Sequence, residues 1–317
     1  MKRREIIKSN EISELYTFTL GGYPQKVLIE GKRRDLPVII TLHGGPGTPI
    51  PFSVGCRGLF PAFTDKFIMV YWDQLGCGIN DHRLGDSFSI ASFVEMTADL
   101  IREVKRLFPE NRICLFATSW GSILSAKVIE QEQVDAVVSC GQIVRNVFFN
   151  DIVYRALEQS KLPKEKLAQI RSIRIDRITE KDMMLVSGSV RKYTYGNVNP
   201  NGRKAPMGSM IWGLLTSPDY KFRDFKAIMV NGCQGNLTLW KEILALDLTG
   251  TLRNVKLPYL MVQGDTDIVA TTEYVQEIAE NSGNPHLQCR IVKDCGHEPS
   301  ADMMDAVFHA LEELAKE

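Results

Sequence analysis

The sequence predicts an α/β fold: a mainly parallel central sheet flanked by helices, with a helical insertion in the second half of the chain. Three observations carry this. Apolar strand-like runs alternate with amphipathic helical runs from about Leu36 to Cys140. The alternation stops between about Val144 and Leu252, where helical segments and polar connections take over. It resumes at Tyr259 and continues to the C-terminal helix.

The elements follow in order. Glu14–Leu20 and Gln25–Glu30 alternate apolar and polar residues around Gly21-Gly22, which is the signal of a β-hairpin. Leu36–Leu42 (LPVIITL) and Phe67–Trp72 (FIMVYW) are unbroken apolar runs, as expected of strands covered on both faces. Ile90–Leu107 has the three-to-four spacing of a helix with one apolar face. Arg112–Ala117 predicts a strand, Gly121–Gln131 a helix and Val134–Cys140 a strand. In the insertion, Val153–Ile170, Glu180–Tyr193 and Leu237–Leu246 predict helices, and Asn197–Pro206 a loop. Tyr259–Gln263 and Gln288–Val292 predict strands, Thr272–Asn281 a helix, and Ala301–Lys316 a closing helix. The expected division is 1–143 for the first part of the core, 144–252 for a helical cap, and 253–317 for the second part of the core.

Composition narrows the function classes. Lys plus Arg and Asp plus Glu are both 38, so no basic excess marks a nucleic-acid partner. No apolar run approaches the ~20 residues that cross a bilayer, so no membrane partner is expected. The start, MKRREIIKSN, lacks the apolar stretch of a signal peptide, and a cytoplasmic location is expected. The seven cysteines are scattered without a C-x-x-C pair, which argues against a disulfide framework or a zinc site. No metal or organic cofactor is implied.

The chemistry centres on Ala117-Thr118-Ser119-Trp120-Gly121, close to the G-x-S-x-G nucleophile elbow. A strand that turns sharply into a helix pushes the central side chain above the sheet. The turn is tight, so the residues two before and two after must be small. Gly121 satisfies this, and Ala117 adds one methyl to the usual glycine. The simpler reading is that Ser119 caps the helix. A nucleophilic serine needs a base, and the base needs an orienting carboxylate. In this architecture they follow the serine in the order acid, then histidine. Gly264-Asp265-Thr266-Asp267 follows the YLMVQ strand, and Asp267 is preferred over Asp265. Cys295-Gly296-His297-Glu298 follows the last strand, and His297 is the candidate base. The oxyanion needs N–H donors. One is expected from Trp120 and one from Gly45, with Gly44 as the fallback, in the turn His43-Gly44-Gly45-Pro46-Gly47. That turn lacks the Lys and Ser/Thr of a phosphate-binding loop.

With these pieces the chain resembles the α/β-hydrolase superfamily and, within it, the proline iminopeptidase family. His43–Gly47 is similar to the family's HGGPG, Asp73-Gln74-Leu75-Gly76-Cys77-Gly78 to its D-Q-R-G-x-G, and Ser119–Ser122 to its S-W-G-S. Leu75 stands in place of the Arg, Asn80 where a Ser usually follows, and Ala117 in place of Gly. The resemblance implies a cap that holds the substrate's amino group with acidic residues. Glu158, Asp182 and Glu242 fall in the cap, but no motif singles one out. Met183, Met184, Met207, Met210, Trp212 and Trp240 are candidates for an apolar pocket lining or for the cap's own core.

The expected mechanism is acyl transfer through Ser119, with His297 as base and Asp267 as its partner. The expected substrate is a small molecule or short peptide. Release of an N-terminal residue is the leading expectation. An esterase or amidase acting on a small apolar acyl group is the alternative, and a ligand-binding module on a hydrolase scaffold is the third. An acidic pair from the cap would favour the first, and an apolar lid the second.

Overall fold

The structure, a computed structural model, describes residues 2–194, 199–233, 235–298 and 300–316. The first two residues of the expected 197–206 loop lie outside the described residues. The chain folds around one sheet made of β1 (Ile12–Leu20), β2 (Tyr23–Gly31), β3 (Val38–Leu42), β4 (Ile68–Trp72), β5 (Ile113–Thr118), β6 (Ala136–Cys140), β7 (Tyr259–Gly264) and β8 (Leu287–Val292). Their spatial order is β1-β2-β4-β3-β5-β6-β7-β8. β1, β2 and β4 pair antiparallel, and every pairing from β4 onward is parallel.

The unbroken apolar runs have a physical cause in this sheet. Val38, Ile40 and Leu42 of β3 enter one core cluster, whereas Ile39 enters the cluster on the opposite face. Leu115 and Phe116 of β5 divide in the same way. Successive side chains of a strand point to opposite faces, so a strand buried on both sides must be apolar throughout.

The helices before the insertion are α1 (Arg3–Ser9), α2 (Pro61–Thr64), α3 (Ile90–Leu107) and α4 (Trp120–Val128). Ser89 caps α3 by accepting from the Ser92 N–H, and Phe93, Met96, Leu100, Ile101 and Val104 form its buried face. Between β6 and β7 run α5 (Asp151–Glu158), α6 (Lys164–Ser172), α7 (Glu180–Tyr193), α8 (Met207–Leu215), α9 (Phe222–Met229), α10 (Leu237–Ala245) and α11 (Thr249–Arg253). α12 (Thr272–Asn281) and α13 (Ala301–Leu314) complete the chain. Residues of α3, α4, α11 and α12 fill one face of the sheet, and residues of α2 and α13 the other.

One element differs from expectation. The helix predicted over Val153–Ile170 is two helices, because α5 ends at Glu158 and α6 begins at Lys164 after Pro163. Proline has no N–H for the helical ladder, and it disfavours helical backbone in the residue before it. Five helices had no sequence signal strong enough to predict them: α1, α2, α8, α9 and α11.

The site lies where the strand order changes direction. β3 has β4 on one side and β5 on the other, so the chain leaves β3 toward one edge and returns toward the other. Loops leaving the carboxyl ends of such neighbours splay apart and open a crevice.

Candidate active site

Ser119 sits between β5 and α4 with φ 50° and ψ −115°. A non-glycine residue in such a conformation costs on the order of 1–3 kcal/mol, so its surroundings must enforce it. They do so in two ways. The Ser119 N–H donates to the Cys140 carbonyl at 2.9 Å, which ties the turn to β6. Gly121 then lets α4 close against the end of β3, where a Cβ would lie 2.6 Å from the Leu42 carbonyl carbon. The hydroxyl makes no capping bond to α4. It lies 2.8 Å from His297 Nε2 instead.

His297 Nδ1 lies 2.8 Å from Asp267 Oδ2. A carboxylate only accepts, so Nδ1 carries the proton and the neutral ring presents a bare Nε2 to the serine. Asp267 is buried in the loop after β7. Its Oδ1 accepts from the N–H groups of Val269 and Ala270, each at 2.9 Å, and its Oδ2 also accepts from Gln263 Nε2 at 3.1 Å. Gln263 is fixed in turn by the Ala270 carbonyl and the Gln142 N–H. Burial disfavours the charged imidazole, but the Asp267 carboxylate, its hydrogen bond and Glu298 outweigh this and raise the His297 pKa. Asp265 plays a structural part. Its Oδ1 accepts from the Cys295 N–H at 3.1 Å and holds the two late loops together.

Gly44, Gly45 and Trp120 line the same cavity as Ser119 and His297. Trp120 opens α4, and an N–H in a first helical turn has no intrahelical acceptor. Gly45 has φ 120°, and a Cβ there would fall 2.6 Å from the Gly47 nitrogen, so the position requires glycine. Gly44 lies closer to Ser119, where a Cβ would come within 3.3 Å of the Ser119 Cβ.

Behind this wall is a buried polar network that motif matching touched without assigning roles. His43 is buried, and burial pulls its pKa down to about 4, so the ring is neutral near pH 7. Its Nδ1 donates to the Gly44 carbonyl at 2.8 Å, and its Nε2 accepts from the Gln74 N–H at 3.0 Å. The Gln74 Oε1 accepts from Trp120 Nε1 at 2.8 Å, which fixes the indole beside Ser119. Asp73 accepts from Val54 N, Ile79 N and the Tyr220 hydroxyl. Asn80 donates to the carbonyls of Asp73 and Lys26 and accepts from the Lys26 N–H, joining this loop to β2. The Leu75 departure is accommodated in the apolar core, where the side chain is buried.

The cavity holds about 510 Å³. Ile50, Ile143, Val269 and, from the insertion, Val147, Phe148, Met184, Trp240 and Ile243 give it apolar walls. Its charged lining besides the histidine consists of Arg191 on α7 and Glu298, 3.5 Å apart as an ion pair. The three acidic candidates lie elsewhere. Glu158 pairs with Arg171, Asp182 closes the capping box of α7, and Glu242 accepts from the Ile90 N–H at the start of α3. Of the Met and Trp candidates, Met184 and Trp240 line the cavity. Met183 is buried in the core, Met210 is half-buried, and Met207 and Trp212 are exposed. Among the described residues no group of three or more His, Cys, Asp or Glu side chains is gathered as a metal site. No helix among them is long and apolar enough to cross a membrane.

The chain has the α/β-hydrolase fold. The family model described as alpha/beta hydrolase fold matches residues 37–164. Among curated proteins the chain is 22% identical over 305 residues to a probable aminopeptidase of Bacillus subtilis, covering 93% of each. It is also 22% identical over 298 residues to a proline iminopeptidase of Lactobacillus delbrueckii subsp. bulgaricus, covering 91% of this chain and 92% of that one. A solved proline iminopeptidase-related protein from Thermus thermophilus superposes with TM-score 0.58 at 18% identity, covering 96% of this chain and 97% of that one.

Proposed function

We propose that the protein is a serine hydrolase that cleaves an ester or amide bond through an acyl-enzyme. The observation that carries this reading is the relay from Ser119 Oγ to His297 Nε2 and from His297 Nδ1 to Asp267, at 2.8 Å for each link. Ser119 attacks the substrate carbonyl as its proton passes to His297. Asp267 keeps the ring in the required tautomer and stabilises the imidazolium. The N–H of Trp120, with that of Gly45 or Gly44, receives the developing oxyanion. His297 then protonates the leaving group, and a water activated by the same ring hydrolyses the acyl-enzyme.

The segment between β6 and β7 serves as a cap. Its Met184, Trp240 and Ile243 give the acyl side an apolar wall, and among the described residues it contributes no carboxylate to the cavity. A free ammonium buried against such walls would lack a counter-charge. This supports an ester or amide with a small apolar acyl group. Release of an N-terminal residue is the second reading. The names of the curated relatives favour it, as does Glu298, the one carboxylate besides the Asp267 relay that comes close to the reacting atoms among the described residues.

Two measurements test the proposal. A fluorophosphonate probe labels wild type and spares Ser119→Ala; an unlabelled wild type, beside a labelled control hydrolase, removes the serine mechanism. Parallel assays on nitrophenyl esters and on amino-acid naphthylamides separate the two substrate readings.

A further inference from the structure

We propose that the outer face of α8 and α9 is a docking surface for an anionic lipid bilayer. The inference stands apart from the catalytic reading, because none of its residues belongs to the relay or the cavity.

Seven of the nine large hydrophobic side chains exposed among the described residues fall within 207–230. On α8 they are Met207, Ile211, Trp212 and Leu215, whose spacing places them on one face of the helix. Gly213 and Leu214 of α8 are buried, and Leu214 joins a small cluster with Cys56 and Ile228 of α9, so α8 packs through these positions and leaves the other four open. On α9 the exposed stripe is Phe222, Lys226 and Met229, followed by Val230. Trp212 is 68% and Phe222 76% exposed. Rings of that size are seldom left so open without a partner, and a contiguous apolar patch marks an interaction site.

Charge identifies the partner. The whole chain is balanced, yet residues 199–233 carry five Lys or Arg against two Asp. Neither acid is free at the surface: Asp219 is held by Arg57 at 2.7 Å, and Asp224 is buried and caps α9 through the Lys221 N–H. Arg203 is held by Asp302 and Asp305. Lys204, Lys221 and Lys226 are exposed and belong to none of the ion pairs among the described residues. A second copy of this face would bring lysines toward lysines. An anionic bilayer supplies both needs at once, an apolar layer for Trp212 and Phe222 and negative headgroups for the lysines. The sequence-based expectation of no membrane partner rested on the absence of a spanning run, and seating on a surface requires none. The face also adjoins the site. Asn231 donates to the Gly47 carbonyl at 2.9 Å, and Ile50, which lines the cavity, packs against the Cys56 cluster.

The test is co-sedimentation of the full chain with phosphatidylcholine vesicles and with equimolar phosphatidylcholine–phosphatidylglycerol vesicles. The expected result is pelleting with the anionic vesicles alone, reversed by high salt. The expected partition falls at least about tenfold in Trp212→Ser/Phe222→Ser and in Lys221→Glu/Lys226→Glu. Turnover of a small soluble substrate by both variants stays at the wild-type value, which shows that they are folded. Wild type that pellets with neither vesicle overturns the proposal. So does a dimer in solution that Trp212→Ser dissociates, which would assign the face to a second copy, and so does pelleting unaffected by either variant.

Discussion

Gly121 rests against Leu42: a Cβ at residue 121 would fall inside the contact shell of the Leu42 carbonyl and 2.9 Å from the His43 carbonyl oxygen. Backbone, not a flexible side chain, bounds this space, so neither neighbour can yield. Gly121→Ala is expected to cost about 2–3 kcal/mol of stability and to abolish turnover by displacing the elbow. Denaturant midpoints, read beside labelling of Ser119, check both effects.

Removal of the proposed nucleophile should separate chemistry from folding. The Ser119 hydroxyl contributes no helix cap, so Ser119→Ala should keep the melting temperature within a few degrees of wild type. Turnover should fall by roughly 10⁴-fold or more. Retained turnover would remove Ser119 from the mechanism.

The pH profile follows from the raised pKa of His297. The ring works as a base only when neutral, so kcat/KM should fall as pH drops through a pKa above the ordinary 6.5. Glu298 is one of the charges that raises it. Glu298→Gln should therefore move the acidic limb to lower pH. A limb that stays in place would show that Glu298 does not act on the ring. Loss of amino-acid naphthylamide cleavage in the same variant, with ester cleavage retained, would support the aminopeptidase reading.

Glu30 should make stability depend on pH in the opposite sense from an ordinary carboxylate. It is buried and accepts from the Gly58 N–H at 3.0 Å. Burial pushes its pKa up to about 7, against the pull of that bond and of Arg57 and Arg3. A carboxyl whose folded pKa is raised gives full stability below its unfolded pKa and loses it as pH rises through the folded one. Wild type should thus lose on the order of 3 kcal/mol between pH 4 and pH 8 relative to Glu30→Gln. Melting curves across that range check the sign, and parallel curves would refute the assignment.

Local rules made the grouping of Ser119, His297 and Asp267 legible in the sequence. The elbow, the glycine turn and the late acid and histidine each follow a strand, and a strand end is readable from its apolar run. The contacts behind them were not readable in the same way. Gln74 meets Trp120, and Asn80 meets Lys26, only because distant strands become neighbours in the sheet. The insertion was harder for a different reason. Pro163 carried a local stop signal that the longer apolar pattern obscured. On α8 the apolar residues lie both inside and outside, so no single buried face could be read from their spacing.

The relay residues all come from loops at strand ends, whereas Met184, Trp240 and Ile243 sit on helices threaded between β6 and β7. On the proposed reading, reactivity and selectivity are written in separate stretches of polypeptide. Grafting α7 and α10 from a relative should transplant its preference for an acyl group and leave the rate of serine acylation by a small phosphonate untouched. A gene altered only there could change its diet without relearning how to cut.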